Sequence, residues 1–236
     1  MRRLLPAAAL LALPAALGAQ AAGHGSHAAP AAPAAPAAPA AQQHDPKTTD
    51  VRTFPRPQGW QVRFDRADAA DSALAFADMA PGWHITTGPS AILFDSTRTA
   101  MGSFRVESEL FLFPGQRNEG FGVFVGGRDL TGAGQQYTYF LLRKDGRFTV
   151  KRRDGAAATE LVPWTAHAAI RAHDRAEGTE KYLLGVQAAA DSVHFSVNGT
   201  RVTSLPRAAV APDGVVGLRV NHALNLHVTS LEVKTP

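Results

Sequence analysis

Residues 136–153 read QYTYFLLRKDGRFTVKRR, two runs of alternating side chains on either side of Lys144-Asp145-Gly146. Alternation with period two marks half-buried strands, and a glycine-containing break of two or three residues marks a hairpin. The loop length decides which side chains share a face. A two-residue Asp145-Gly146 turn would set Leu142 against Thr149 and Phe140 against Lys151, mixing apolar and polar groups on both faces. A three-residue type I turn with Gly146 in the left-handed bulge position sets Leu142 against Phe148 and Phe140 against Val150. The second register sorts the core, and it gathers Tyr137, Tyr139, Leu141, Arg143, Thr149, Lys151 and Arg153 on the opposite face. A slip of one residue would reverse the assignment.

The same period runs outward from this hairpin through most of the chain. Strands are expected at Trp60–Phe64, Trp83–Thr87, Ala91–Asp95, Gly102–Phe113, Gly120–Gly127, Gln136–Arg143 and Arg147–Arg153. Further strands are expected at Lys181–Gln187, Ser192–Asn198, Thr200–Leu205, Val215–Asn221 and Leu226–Lys234. Asn198-Gly199, between Val197 and Val202, carries the strongest short hairpin signal; Asn198-Gly199-Thr200 is also a glycosylation sequon, for which the turn is the simpler use. Only Asp65–Ala80, rich in Ala and Asp with Leu74 and Phe76, suggests a helix. Many strands and at most one short helix predict an all-β, two-sheet antiparallel sandwich of jelly-roll type.

The N-terminal part has a different chemistry. Arg2 and Arg3 precede an apolar run from Leu4 to Leu17 and the small residues Gly18 and Ala19, the pattern of a secretory signal peptide over residues 1–19, with cleavage near Ala19 or Ala21. The run is shorter than the about 18 apolar residues that span a bilayer and contains Pro6 and Pro14, so no integral membrane segment is expected after cleavage. Residues 20–46 are dominated by Ala and Pro, a composition that cannot form a packed core and acts as an extended tether. His24, His27 and His44 lie in or beside it, too scattered to make a metal site. The sandwich is then assigned to residues 47–236 and the protein to the periplasm or the extracellular space. The chain has no cysteine, which excludes disulfides, thiol nucleophiles and cysteine zinc sites. A formal charge of +4 favours acidic partners weakly.

Short segments carry a family resemblance. Gly102-Ser103-Phe104-Arg105-Val106-Glu107-Ser108-Glu109, Asn118-Glu119-Gly120-Phe121-Gly122-Val123-Phe124, Val197-Asn198-Gly199 and Val216-Gly217-Leu218 follow the order of a concanavalin A-like jelly roll. The chain resembles exported domains of the 3-keto-disaccharide hydrolase type from about Phe64 to Val233, with laminin G-like domains more remote. The resemblance implies an extracytoplasmic, glycan-related role. That family often has Asn-Ser-Gly followed by apolar residues and an arginine; here Glu119 stands in the middle and Gly126-Gly127 precedes Arg128, so no catalytic residue is transferred.

The residues themselves offer two chemistries. Glu107 and Glu109, two apart on one strand, project to one face at a spacing near the about 5 to 9 Å of a glycosidase carboxyl pair. The same pattern describes a salt-bridged solvent face, the ordinary condition of an antiparallel sheet. Glu119 is a separate candidate on a loop. The alternative is a binding face of Tyr137, Tyr139, Arg143, Lys151 and Arg153 on the concave sheet, where aromatic rings meet sugar faces and basic groups meet hydroxyls or carboxylates. Trp60, Trp83 and Trp164 are further aromatic platforms or core residues. No Gly-x-Ser-x-Gly elbow, phosphate loop or close His-x-His pair occurs, so neither a cofactor nor a metal is expected. The expectation is an exported sandwich that binds a glycan or small glycoside, with nucleic acid excluded as a partner by the compartment and the oligomeric state left open. Hydrolysis of a modified disaccharide and a noncatalytic envelope interaction module are the alternatives.

Overall fold

The computed structural model describes residues 56–235 apart from residues 116 and 174–177; the expected signal peptide (1–19) and linker (20–46) lie outside the described residues. Two seven-stranded antiparallel sheets face one another. The first runs, in spatial order, β1 (Trp60–Phe64), β4 (Ala91–Ala100), β13 (Gly214–Val220), β6 (Phe121–Arg128), β7 (Gln136–Arg143), β8 (Arg147–Asp154) and β9 (Ala157–Ala166). The second runs β12 (Thr200–Pro206), β11 (Ser192–Val197), β10 (Glu180–Ala188), β5 (Phe104–Leu112), β14 (Asn225–Lys234), β3 (Trp83–Thr87) and β2 (Leu74–Asp78). Among the described residues a single α-helix, the four-residue α1 (Arg207–Val210), connects β12 to β13. Among the described residues no helix is long and apolar enough to cross a membrane.

The deciding hairpin has the three-residue loop. Leu142 pairs with Phe148, Phe140 with Val150 and Tyr139 with Lys151, and Arg143 and Arg147 close the ladder. Gly146 sits at φ +80° and donates its N–H to the Arg143 carbonyl at 3.1 Å, the left-handed position that a side chain disfavours. The second predicted turn is also present. Asn198 and Gly199 both have positive φ, 50° and 80°, which is the type I′ geometry that follows the strand twist.

Two expectations are corrected. Asp65–Ala80 is not a helix: a 3-10 turn at Asp71–Ala73 leads into strand β2. Leu74 and Phe76 are two apart and both buried, and the pairing of β2 with β3 supplies backbone partners that outweigh the helix preference of the alanines. Strand β9, absent from the sequence expectation, pairs with β8 along the edge of the first sheet.

The core between the sheets holds Phe104, Val106 and Leu110 of β5 and Tyr182, Leu184 and Val186 of β10. These meet Phe121 and Val123 of β6, Phe140 and Leu142 of β7, and Phe148 and Val150 of β8. Each such large apolar side chain contributes about 1.5–3 kcal/mol by leaving water. The one serine in the β5 inward row, Ser108, is fully buried and donates to the Ser230 carbonyl at 2.8 Å, so its hydroxyl carries no desolvation penalty.

The outer face of the first sheet is not the open polar surface that a two-layer sandwich predicts. Ile92, Phe94, Phe124, Leu130, Tyr137, Tyr139 and Leu141 form a second buried apolar cluster there, flanked by Trp164 and Val215. Pairing of β4, β13, β6 and β7 brings these residues side by side. Gly217 makes the layer possible: a Cβ at that position would lie 2.5 Å from the Phe124 ring.

Candidate functional site

The sequence-predicted binding residues meet on this outer face. Tyr137 lies opposite Arg153 and Tyr139 opposite Lys151. The two tyrosines are only 2% and 8% exposed, with their rings 5.7 Å apart and Phe124 at 5.2 Å from Tyr137. They form a floor beneath other side chains rather than an open groove.

What covers them is Arg219 of β13, a residue that the sequence reading did not single out. Its guanidinium lies 5.5 Å from the Tyr139 ring centre and donates to the Tyr137 hydroxyl at 3.2 Å and to Asn221 Oδ1 at 3.3 Å. A forked pair of hydrogen bonds joins it to the Asp65 carboxylate, the bidentate geometry for which arginine is suited. Burial opposes the charge of Arg219, but its hydrogen bonds to the Asp65 carboxylate and the influence of that charge and of the tyrosines outweigh it and raise the guanidinium above its usual pKa. Burial likewise pushes the Tyr137 hydroxyl up, against the pull of Arg219, so it stays neutral and accepts. An arginine inside the run Val215-Val216-Gly217-Leu218-Arg219-Val220 was the available signal, since a charge on a strand this apolar needs a buried partner.

The other predicted basic groups are already engaged. Arg143 bonds to Asp145 through Nε at 2.9 Å and stacks 4.5 Å above the Trp164 ring, a cation–π contact. Lys151 pairs with Glu160 at 2.9 Å, and Arg153 donates to the Gly155 carbonyl at 2.7 Å. Burial would raise the Asp145 carboxyl, but hydrogen bonds from Arg143 and Asn118 and the Arg143 and Arg147 charges hold it below its usual range.

At the loop end of the face the surface sinks. Gly120 lacks a side chain where a Cβ would come within 2.9 Å of Leu141, 3.1 Å of Trp164 and 3.3 Å of the Asn221 amide. Glu119, next in the chain, accepts from Asn221 at 3.5 Å and pairs with His222 at 3.2 Å. Beside it opens a cleft of about 440 Å³ lined by Asp65, Arg66, Ser90 and His222 among others. Asp65, Arg219, Asn221 and Glu119 thus form one hydrogen-bonded string along the edge of this depression.

Glu107 and Glu109 lie elsewhere, on the outer face of the second sheet. Glu107 accepts from Lys234 at 2.7 Å and from Arg105 at 2.9 Å, and Glu109 pairs with Lys181 at 3.1 Å. The Lys234 hydrogen bond, opposed by partial burial and helped by Arg105, holds the Glu107 carboxyl below its usual range. A general acid needs the opposite shift. The structure therefore keeps these two carboxylates together but apart from Glu119, each beside its own cation. Among the described residues no group of three or more His, Asp or Glu side chains is placed to hold a metal ion.

No protein-family model matches the chain, and no curated protein matches its sequence. Solved structures do match its shape. The carbohydrate-binding module CBM66 from Bacillus subtilis superposes with a TM-score of 0.56 at 13% identity, covering 75% of this chain and 96% of that one. A glycoside hydrolase family 16 endo-glucanase from Bacteroides ovatus gives 0.54 at 8% identity, covering 78% and 98%. A Bacillus subtilis protein with a galectin-like fold gives 0.50 at 12% identity, covering 74% and 88%. At these identities the likeness is one of fold, and the fold is a concanavalin A-like β-sandwich.

Proposed function

We propose that this protein is an exported, noncatalytic glycan-binding sandwich, acting in the periplasm or outside the cell, that takes its ligand on the outer face of the first sheet. The observation that carries the proposal is the half-buried Trp164–Arg143 stack beside the string of Glu119, Asn221, Arg219 and Asp65. An indole presents a flat apolar face to sugar C–H groups, and a row of fixed donors and acceptors meets hydroxyls. Tyr137 and Tyr139 take the role of support: buried under Arg219, they fix the string from below. Arg143 and Lys151, each in an ion pair, and Arg153, held by the Gly155 carbonyl, border the site with further N–H groups left to donate. The likeness to a carbohydrate-binding module and to a glucanase supports a saccharide as the ligand class. The cation beside each of Glu107 and Glu109 favours binding over hydrolysis.

The test is a glycan array and calorimetry on the purified chain, with Trp164→Ala and Arg143→Ala variants and a Glu119→Gln control assayed for glycoside cleavage. Binding without turnover, weakened by the first two changes, is the expected result. Turnover abolished by Glu119→Gln would instead establish a hydrolase, and undiminished binding in Trp164→Ala would move the site off this face. N-terminal sequencing of the protein recovered outside the cytoplasm tests export, with a mature start just after Ala19 or Ala21 expected.

A further inference from the structure

At the margin opposite β9 the edge strands β1 and β2 end the two sheets, and beside them lies a second cleft, of about 450 Å³. Arg56 and Gln58, just before β1, form one lip; Phe76, Asp78, Gly82 and Trp83 form the other. Its size falls within the about 300–1,000 Å³ of small-ligand sites. Trp83 is held from two sides, by Trp60 at 4.8 Å in an edge-on contact and by Phe76 at 5.5 Å, so the indole is fixed before any ligand arrives, and, partly buried, it lines the cleft. Asp78 stands directly opposite Trp83 in the β2–β3 ladder.

The polar groups of this cleft differ in one respect from those around Trp164. Among the described residues, the Asp78 carboxylate and the Gln58 carboxamide make no side-chain hydrogen bond or ion pair, whereas Arg143, Lys151 and Glu119 each have one. Arg56 reaches Asp71 at 3.4 Å. A rigid indole flanked by an unengaged acceptor and an unengaged amide is the arrangement that meets a sugar ring: its C–H face on the indole, vicinal hydroxyls donating to the carboxylate and accepting from the amide. Two carboxylates, Asp71 and Asp78, against the single guanidinium of Arg56 disfavour an acidic sugar.

From this arrangement we infer a second saccharide site, in the cleft of Trp83, Gln58 and Asp78, for a neutral pyranose unit. With the Trp164 face on the far edge of the first sheet, the domain would hold one polysaccharide at two points or bridge two chains, and the paired contacts would raise avidity without new ones.

The test uses the full chain and a panel of neutral tetrasaccharides, cellotetraose, laminaritetraose, xylotetraose and mannotetraose, followed by calorimetry and tryptophan fluorescence. A panel member is expected to bind with a second equivalent that is lost, or weakened by about tenfold or more, in Gln58→Ala/Asp78→Ala, two exposed changes that spare the core. Trp83→Phe keeps the packing against Trp60 and Phe76 and should remove the associated fluorescence change, while Trp164→Ala should leave it intact. Binding abolished by Trp164→Ala alone would leave the first site standing and overturn this one. Unchanged affinity and stoichiometry in the Gln58/Asp78 double variant, or failure of every panel member to perturb Trp83, would equally overturn it.

Discussion

Replacing Asp65 with alanine leaves the Arg219 guanidinium charged, inside an apolar layer, without its main partner. The Arg219 side chain keeps 8% of its exposure and that of Asp65 keeps 31%. Removing one member of a fully buried ion pair costs about 3–5 kcal/mol. Here water can enter where the carboxylate stood, and the Tyr137 hydroxyl and Asn221 carbonyl remain as acceptors, so the expected loss is about 2–3 kcal/mol. For a domain of this size that lowers Tm by about 4–12 °C. The second variant decides the cause. Asp65→Ala combined with Arg219→Met replaces the stranded charge by an apolar chain of similar length, and should recover at least about half of the loss, because well-packed apolar replacements of buried ion pairs are often neutral. Urea unfolding followed by circular dichroism measures both, with a constant denaturant slope as the check that only stability has changed. A loss below about 0.5 kcal/mol for Asp65→Ala, or a double variant as unstable as the single one, would show that the pair does not hold this face together.

Three further outcomes follow from the packing. Burial pushes the His227 imidazole down, only partly opposed by the Pro81 carbonyl at 3.0 Å and the Glu109 charge, and its Nδ1 is buried without a hydrogen-bond partner. The folded state therefore takes up this proton less readily than the unfolded chain: stability is at its full value above the unfolded pKa of about 6.5 and declines as pH falls below it. Urea midpoints at about pH 7.5 and about pH 5 should differ less in His227→Gln than in the parent, and equal differences would refute the assignment. Gly122→Ala places a Cβ 2.1 Å from the Phe140 carbonyl oxygen and 3.2 Å from the Leu141 Cα in the middle of the first sheet; with the β7 backbone unable to yield, it should cost about 3 kcal/mol or more, read as a lowered yield of folded protein and a lowered Tm. Gly199→Ala meets open space but must hold φ at +80°, so it should cost only about 1 kcal/mol in urea unfolding, from backbone strain alone.

Much of this architecture is legible in the chain because local rules determine it. The strand Gln136–Arg143 and the Gly146 register follow from alternation and turn chemistry within 18 residues, and the structure has both. What sequence could not supply was nonlocal. Ile92 and Phe94 of β4 reach Phe124 and Tyr139 only through β13, more than 110 residues further along the chain, and that pairing makes the outer face a second apolar layer. The tyrosines therefore read as a water-facing surface, although a strand with Tyr137, Tyr139 and Leu141 on its outward face already hinted at a cover. Strand β9 escaped notice because its outer half, Ala157-Ala158-Thr159-Glu160, is exposed and carries no apolar alternation. Of the candidate site, Arg143 and Trp164 were visible as residue types, but their stacking, and the link from Arg219 to Asp65 across 154 positions, arise only on folding.

Strand β9 also marks where the first sheet stops. Its outer edge presents backbone groups to which a strand of another molecule could add. The chain meets that hazard with irregularity: the β8–β9 register shifts twice, at Phe148/Val150 and Val150/Lys151, Pro163 has no N–H to offer, and Glu160 sets a charge beside the edge. Such an ending is its own safeguard, since a frayed selvedge gives a growing fibre nothing regular to copy.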